Sequence, residues 1–132
     1  YVVRTETKEE TPFFEALYNL GIETREKDLQ VFSTGMKKAD WDVGLTVDAI
    51  RLAPSLDAIV IVSGDGDYLP LVEYLQKSAG KQVEVVAFGD TTSSRLIEAT
   101  DDFIDLGKDK ERFLITDSRF VKQTGFGVKK TR

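Results

Sequence analysis

The chain has no cysteine and no histidine, and only three prolines in 132 residues. Without cysteine, disulfides and thiolate metal sites are excluded, and cysteine usage says nothing about the redox compartment. Without histidine, the usual general base, the usual zinc ligand and the Ser-His and Cys-His nucleophile pairs are all gone. Any hydrolytic chemistry must then rest on carboxylates, through a hard, oxygen-seeking cation such as Mg2+ or Mn2+. No apolar run approaches the ~20 residues of a membrane helix, and no signal-peptide pattern opens the chain. The expectation is a protein of the cytoplasm with no membrane contact.

What is present suits a soluble globule. A hydrophobic content of 41% and this length fit one domain with a single core. The net charge of −5 conceals an asymmetry. Residues 119–132 carry Arg119, Lys122, Lys129, Lys130 and Arg132 with no acid, whereas the other 118 residues hold 13 basic and 23 acidic side chains, for −10. An acidic body with a basic tail is not a simple phosphate-backbone binder. It fits an acidic site loaded with metal, the tail serving either as a phosphate contact or as a solubilising terminus.

Tyr1 to Arg4 reads as a strand already in progress, and Thr5 to Glu10 as a polar turn. Thr11-Pro12 starts a helix, with the threonine hydroxyl as N-cap and proline where a missing N–H costs nothing. Phe13, Phe14, Leu17, Tyr18 and Leu20 form its apolar stripe, and Gly21 ends it. Ile22 to Phe32 alternates as a polar edge strand, and Ser33 to Ala39 is a loop carrying Lys37-Lys38. Trp41 to Ala53 is helical by period. On its wheel Val43, Val47 and Ile50 lie together, as do Leu45, Ala49 and Leu52, leaving Gly44, Asp48 and Arg51 as the wet arc. Asp42 falls inside the apolar arc. It either points inward, and needs a cation or a donor, or it satisfies the amides of its own helix.

Pro54-Ser55 breaks that helix, and Leu56 to Val62 is nearly all apolar, as befits a central parallel strand covered on both faces. Leu69, Leu71, Val72 and Leu75 give a third helical face closing at Ala79-Gly80, and Lys81 to Phe88 is a strand. Ser93 or Ser94 caps a short helix bearing Leu96, Ile97 and Ala99. Phe103, Ile104 and Leu106 make a last short strand, Phe113-Leu114-Ile115 a small added one, and Gly125 to Arg132 the tail. Strands and helices alternate with short loops, which spells an α/β fold with a mainly parallel sheet of about five strands and right-handed crossovers.

The chemistry gathers at Ser63-Gly64-Asp65-Gly66-Asp67, where the apolar strand opens into a helix. In open α/β sheets, ligands collect at such ends. In a kinked turn both carboxylates face one point, and Gly64 and Gly66 let backbone amides approach a phosphate. With Asp42 added, three acids from two elements make the smallest hard-cation cage able to polarise a phosphodiester and activate water. Asp-Gly-Asp is also ordinary turn chemistry, the aspartate capping the helix that follows. Trp41, Tyr68 and Tyr74 are candidates for base stacking, though aromatics at helical spacing are more often core.

Four blocks occur in order: KADWDVGLTVD at 38–48, VSGDGDYLPLVEYL at 62–75, GKQVEVVAF at 80–88 and SSRLIEATDDFIDL at 93–106. Together they resemble the NYN domains of the LabA-like group, in the PIN-like nuclease superfamily. The resemblance implies a three-layer PIN-like, Rossmann-like α/β domain over residues 1–107, followed by a C-terminal extension over 108–132 that ends in the basic tail. It implies a metal-dependent ribonuclease using Mg2+ or Mn2+ on RNA, and an endoribonuclease is the expectation. Carried over residue by residue, the helix acid matches Asp42, with Asp48 further along, and the acids after the central strand match Asp65 and Asp67. Asp101 matches the aspartate before the final strand, Ser63 and Ser93 the serines near the site, and Lys38 the basic position. Lys129 and Lys130 of the tail are added as RNA contacts.

The family opens with an apolar strand ending in aspartate, with asparagine soon after. Nothing stands before Tyr1, so by the resemblance Tyr1 to Arg4 is the second strand and the domain is N-terminally incomplete. The absent strand would lie mid-sheet, leaving Ala58 to Val62 unpaired on one side. The missing acid and the acidic body together support an alternative, a catalytically inactive PIN-like module that binds RNA or a protein, and either a second copy or a protein partner is compatible with it. A haloacid-dehalogenase-like phosphatase ranks low, because Tyr68-Leu69-Pro70 follows the Asp-Gly-Asp.

Overall fold

The computed structural model describes residues 1–4, 10–31, 37–38 and 40–114, the side chains at 30, 31, 37 and 38 excepted. The chain divides into two units, Tyr1–Ser55 and Leu56–Arg132. In the first, β1 (Val2–Arg4), α1 (Thr11–Asn19) and β2 (Glu26–Asp28) form a βαβ unit, the strands pairing in parallel with Val2 opposite Glu26. Gly21 takes a positive φ of 72°, and the Gly21 and Ile22 amides donate back to Tyr18 and Leu17. That closes α1 as expected of a C-terminal glycine.

Four expectations fail in this unit. The single strand expected over Ile22 to Phe32 is instead two short ones, β2 and β3 (Gln30–Val31), in different sheets. Glu10, not Thr11, precedes the helix, and no side-chain cap bond forms. With Pro12 in the first turn, one of the amides that a cap would serve carries no hydrogen. Lys37-Lys38 does not lie in a loop: it forms β4 (Lys37–Lys38), antiparallel to β3 (Gln30–Val31). On α2 (Asp42–Leu52) the wet arc is misplaced. Val43 and Val47 are 76% and 56% exposed, while the Asp48 side chain is only 19% exposed. Arg25, Arg51 and Tyr1 gather on that carboxylate, and helical period cannot foresee a charge that finds its partners.

The second unit is a three-stranded parallel sheet in the order β5 (Ala58–Ile61), β6 (Gln82–Ala87), β7 (Asp102–Asp105). Helices α3 (Leu69–Lys77) and α4 (Ser94–Ala99) make the crossovers. Because the strands are added in one direction, right-handed crossovers send both helices to the same face. Val83, Val85 and Ala87 of β6 are buried with Ile61, Leu71, Val72, Leu75 and Leu96. Each such valine, leucine or isoleucine contributes about 1.5–3 kcal/mol. On the opposite face Val60 and Ile104 are exposed. The strand expected at the sheet's centre, covered on both faces, is β5; its face bearing Val60 is exposed, and among the described residues it is β6 that has a neighbour on each side. Among the described residues β5 pairs with β6 alone.

The α/β class with parallel strands and flanking helices thus stands, the parallel strands lying in two sheets. Residues 113–115 are not a strand as far as they are described. Phe113 closes a helical turn, α5 (Lys110–Phe113), whose start Asp109 caps by accepting from the Arg112 amide at 3.3 Å. Ile115 and the basic tail lie outside the described residues.

Candidate functional site

In the second unit the chain leaves β5 at Ile61 and enters the acidic turn. The Ser63 hydroxyl oxygen accepts from the Asp65 amide (3.2 Å), and Asp65 Oδ1 accepts from the Asp67 amide (3.0 Å). These bonds start a 3-10 turn, Gly66–Tyr68, that runs straight into α3. The capping reading therefore holds for Asp65. Both aspartates are exposed, and among the described residues no hydrogen bond or ion pair engages the Asp67 carboxylate.

The glycines of the turn have a packing role. A Cβ on Gly64 would lie 2.6 Å from Thr92 Oγ1 and 3.2 Å from Thr92 Cα, and one on Gly66 would lie 3.0 Å from Ser93 Oγ. The Ser93 amide donates to the Gly64 carbonyl at 3.1 Å. Ser63 and Ser93 thus both belong to this corner. Ser93 occupies the N-cap position of α4, but its hydroxyl makes no cap bond.

Asp101 does not join them. It precedes β7, where Oδ2 accepts from the Val83 amide (2.7 Å) and from Gln76 Nε2 (3.0 Å). The Gln76 amide and the Val83 N–H hold its carboxyl below the usual carboxylate range. Val83 is near the start of β6, so Asp101 sits at the N-terminal edge of the sheet and Asp65 beyond the C-terminal edge of β5. Asp105, which the sequence reading missed, ends β7 on the acidic turn's edge. Its Oδ1 accepts from the Gly89 and Gly107 amides, each at 2.8 Å. Those two N–H groups lower its pKa, with Lys108 and Lys110 adding to the effect. A carboxylate closing a strand two residues before a glycine was the signal available.

In the first unit Asp42 opens α2, half-exposed. The acid that serves this helix end is Asp40, whose Oδ1 accepts from the Asp42 amide at 2.9 Å. Asp48 is held by Arg51 Nη2 (2.8 Å), Arg25 Nε (3.6 Å) and the Tyr1 hydroxyl (3.1 Å), which is an ion network and not an open ligand. Trp41 packs on Tyr1 with centroids 5.3 Å apart and donates its indole N–H to the Val2 carbonyl at 2.9 Å. Lys38 lies in β4 opposite Gln30, while Lys129 and Lys130 lie outside the described residues.

Asp65 and Asp67 offer hard oxygen donors two residues apart on an exposed turn. That donor set fits Mg2+ or Mn2+, since such ions keep several waters and take one or two carboxylates. No three acidic side chains come together as a metal cage among the described residues. No helix among them is long and apolar enough to cross a membrane.

Carboxylates at the C-terminal edge of a parallel α/β sheet stand where such sheets collect ligands. The NYN domain model matches residues 1–107, and the chain belongs to the NYN family, a nuclease-type domain family. It is 30% identical over 112 residues to the low amplitude and bright protein LabA of Synechococcus elongatus, covering 80% of this chain and 60% of LabA. A crystal structure of a Vibrio parahaemolyticus protein of unknown function superposes with a TM-score of 0.73 at 37% identity, over 80% of this chain and 65% of that one. The chain therefore spans about 60% of the length of the curated relative it matches.

Proposed function

We propose that this domain is a metal-dependent endoribonuclease that hydrolyses RNA phosphodiesters at an acidic Mg2+ or Mn2+ site. The observation that carries the reading is the exposed Asp65–Asp67 pair on the turn after β5, with the Asp67 carboxylate uncommitted among the described residues. Asp65 and Asp67 would hold the cation, and Asp42 enters the reading from the sequence, by its place on the helix wheel and by the family resemblance. When bound, such a cation supplies charge neutralisation at the phosphodiester and activation of water. The chain's own part is to hold the turn that bears the two carboxylates. Asp65 is tied by its cap bond, and the glycines are tied by the loop at 92–93. Lys38, Lys129 and Lys130 would contact RNA phosphates.

The test is cleavage of single-stranded and hairpin RNA with Mn2+, in the parent and in Asp65→Asn, Asp67→Asn and Asp42→Asn. Loss of at least about 100-fold in rate, some 2.7 kcal/mol, is expected for the first two. Robust cleavage by the Asp65→Asn/Asp67→Asn double variant would refute the reading. The acidic body, −10 over residues 1–118, favours a second reading, a catalytically silent RNA- or protein-binding module. That module would bind its partner undiminished in chelator.

A further inference from the structure

Asp105 takes no part in the proposed chemistry, yet it holds the loop on which the acidic turn leans. Oδ1 receives both the Gly89 and the Gly107 amides at 2.8 Å. A Cβ on Gly89 would lie 2.7 Å from Asp105 Oδ2, so the chain at Gly89 is pressed directly against the carboxylate. From there the loop closes on itself, the Thr92 amide donating to the Gly89 carbonyl (3.2 Å) and the Thr92 hydroxyl to the Phe88 carbonyl (2.8 Å). Thr92 and Ser93 then abut the backbones of Gly64 and Gly66, and the Ser93 amide donates to the Gly64 carbonyl. One unbroken set of contacts thus runs from the end of β7 through the loop after β6 to the turn after β5.

We propose that Asp105 is a positioning residue, which sets the place and rigidity of the turn bearing Asp65 and Asp67 through the loop 89–93. Its functional meaning rests on the nuclease reading, whereas the mechanical link does not. The rival role for a carboxylate on this edge is direct ligation. The two are separable because both amides bond one oxygen. Asparagine keeps that acceptor and loses the charge, while alanine loses both.

The experiment uses the full chain as parent, Asp105→Asn and Asp105→Ala, with amide exchange read by NMR and Mn2+ binding by calorimetry. In Asp105→Ala, exchange of the Ser93 and Asp67 amides should rise by about tenfold or more, while Asp105→Asn stays within about twofold. Mn2+ affinity should fall in Asp105→Ala and be restored in Asp105→Asn. Unchanged exchange in Asp105→Ala overturns the proposal, as does an Asp105→Asn variant that loses Mn2+ as fully as Asp67→Asn. Should Asp105→Ala not fold, Gly89→Ala takes its place, since its methyl displaces the carboxylate. That variant should speed Ser93 exchange, and unchanged exchange there is equally fatal. A parent that binds no Mn2+ and cleaves no RNA refutes the nuclease reading alone, because the exchange measurement still decides the link.

Discussion

Replacing Gly44 by alanine should destabilise the first unit, against the ordinary rule for a glycine inside a helix. In an open helical position the exchange gains about 1 kcal/mol. Here the new Cβ would lie 2.7 Å from Trp41 Cε3 and 3.0 Å from Cζ3. The indole cannot step aside without loss, because its N–H bonds the Val2 carbonyl, Tyr1 packs on its ring, and the Lys27 ammonium lies 5.5 Å from the ring centroid. Overpacking of this kind costs about 1–3 kcal/mol. If the ring swings away, the hydrogen bond is worth about 1 kcal/mol and the aromatic pair about 0.5–1.5 kcal/mol. The helix gain offsets about 1 kcal/mol, so displacement of the ring leaves a net loss of about 0.5–1.5 kcal/mol. Urea denaturation followed by far-ultraviolet circular dichroism, a signal that does not depend on Trp41, the chain's one tryptophan, measures it in either background. In a Trp41→Ala background the same Gly44→Ala change should turn stabilising by about 1 kcal/mol. A Gly44→Ala protein as stable as its parent, or an equal loss in both backgrounds, would refute the reasoning.

Asp101 and Asp105 both hold pKa values below the ordinary carboxylate value, so the unfolded chain takes up these protons first. Their stabilisation is present above about pH 4 and is lost as pH falls through the depressed native values. Unfolding free energy plotted against pH should therefore fall less steeply on the acid side in Asp101→Asn than in the parent, and a parallel curve would show that the aspartate carries no such linkage. Leu75→Ala removes a fully buried side chain and should cost about 2–5 kcal/mol. Tyr74→Ala, at a 44% exposed position next to it, should cost far less, and equal denaturation midpoints for the two would contradict the burial pattern.

The elements legible in the sequence were those whose pattern and punctuation agree. The alternating β6, with Val83, Val85 and Ala87 buried, the face Leu71, Val72 and Leu75 of α3, and the positive-φ ends at Gly21 and Gly80 all follow from period and turn chemistry. What escaped depends on partners distant in sequence. Apolarity alone made the β5 strand look covered on both faces, whereas Val60 on one of them is exposed. Asp48 looked solvated because nothing local announces Arg25. Gly64 and Gly66 looked like phosphate-approach glycines, and the structure adds that a neighbouring loop occupies the space their side chains would fill. The capping reading of Asp65 was local chemistry and was legible in the sequence.

The misplacement of Asp101 has a different origin, because strand direction alone was enough to avoid it. In a parallel sheet every acid that follows a strand lies at one edge and every acid that precedes a strand lies at the other. Asp65 and Asp67 follow β5, Asp90 follows β6 and Asp105 closes β7, whereas Asp57 precedes β5 and Asp101 precedes β7. Strands of four residues separate the two edges by about 13 Å at ~3.3 Å per residue, too far for carboxylates on opposite edges to share one cation. Asp101 therefore spends its charge on the Val83 amide and Gln76, which fixes where β6 begins. Asp105, on the other edge, spends its charge on Gly89 and Gly107, which fixes the loop beside the acidic turn. Of the carboxylates at that C-terminal edge, Asp65 caps its own turn, Asp90 approaches Lys110 at 3.8 Å and Asp105 braces the loop. Only Asp67 remains uncommitted among them in the described residues, and a cation arriving there meets a carboxylate with no internal bond to give up.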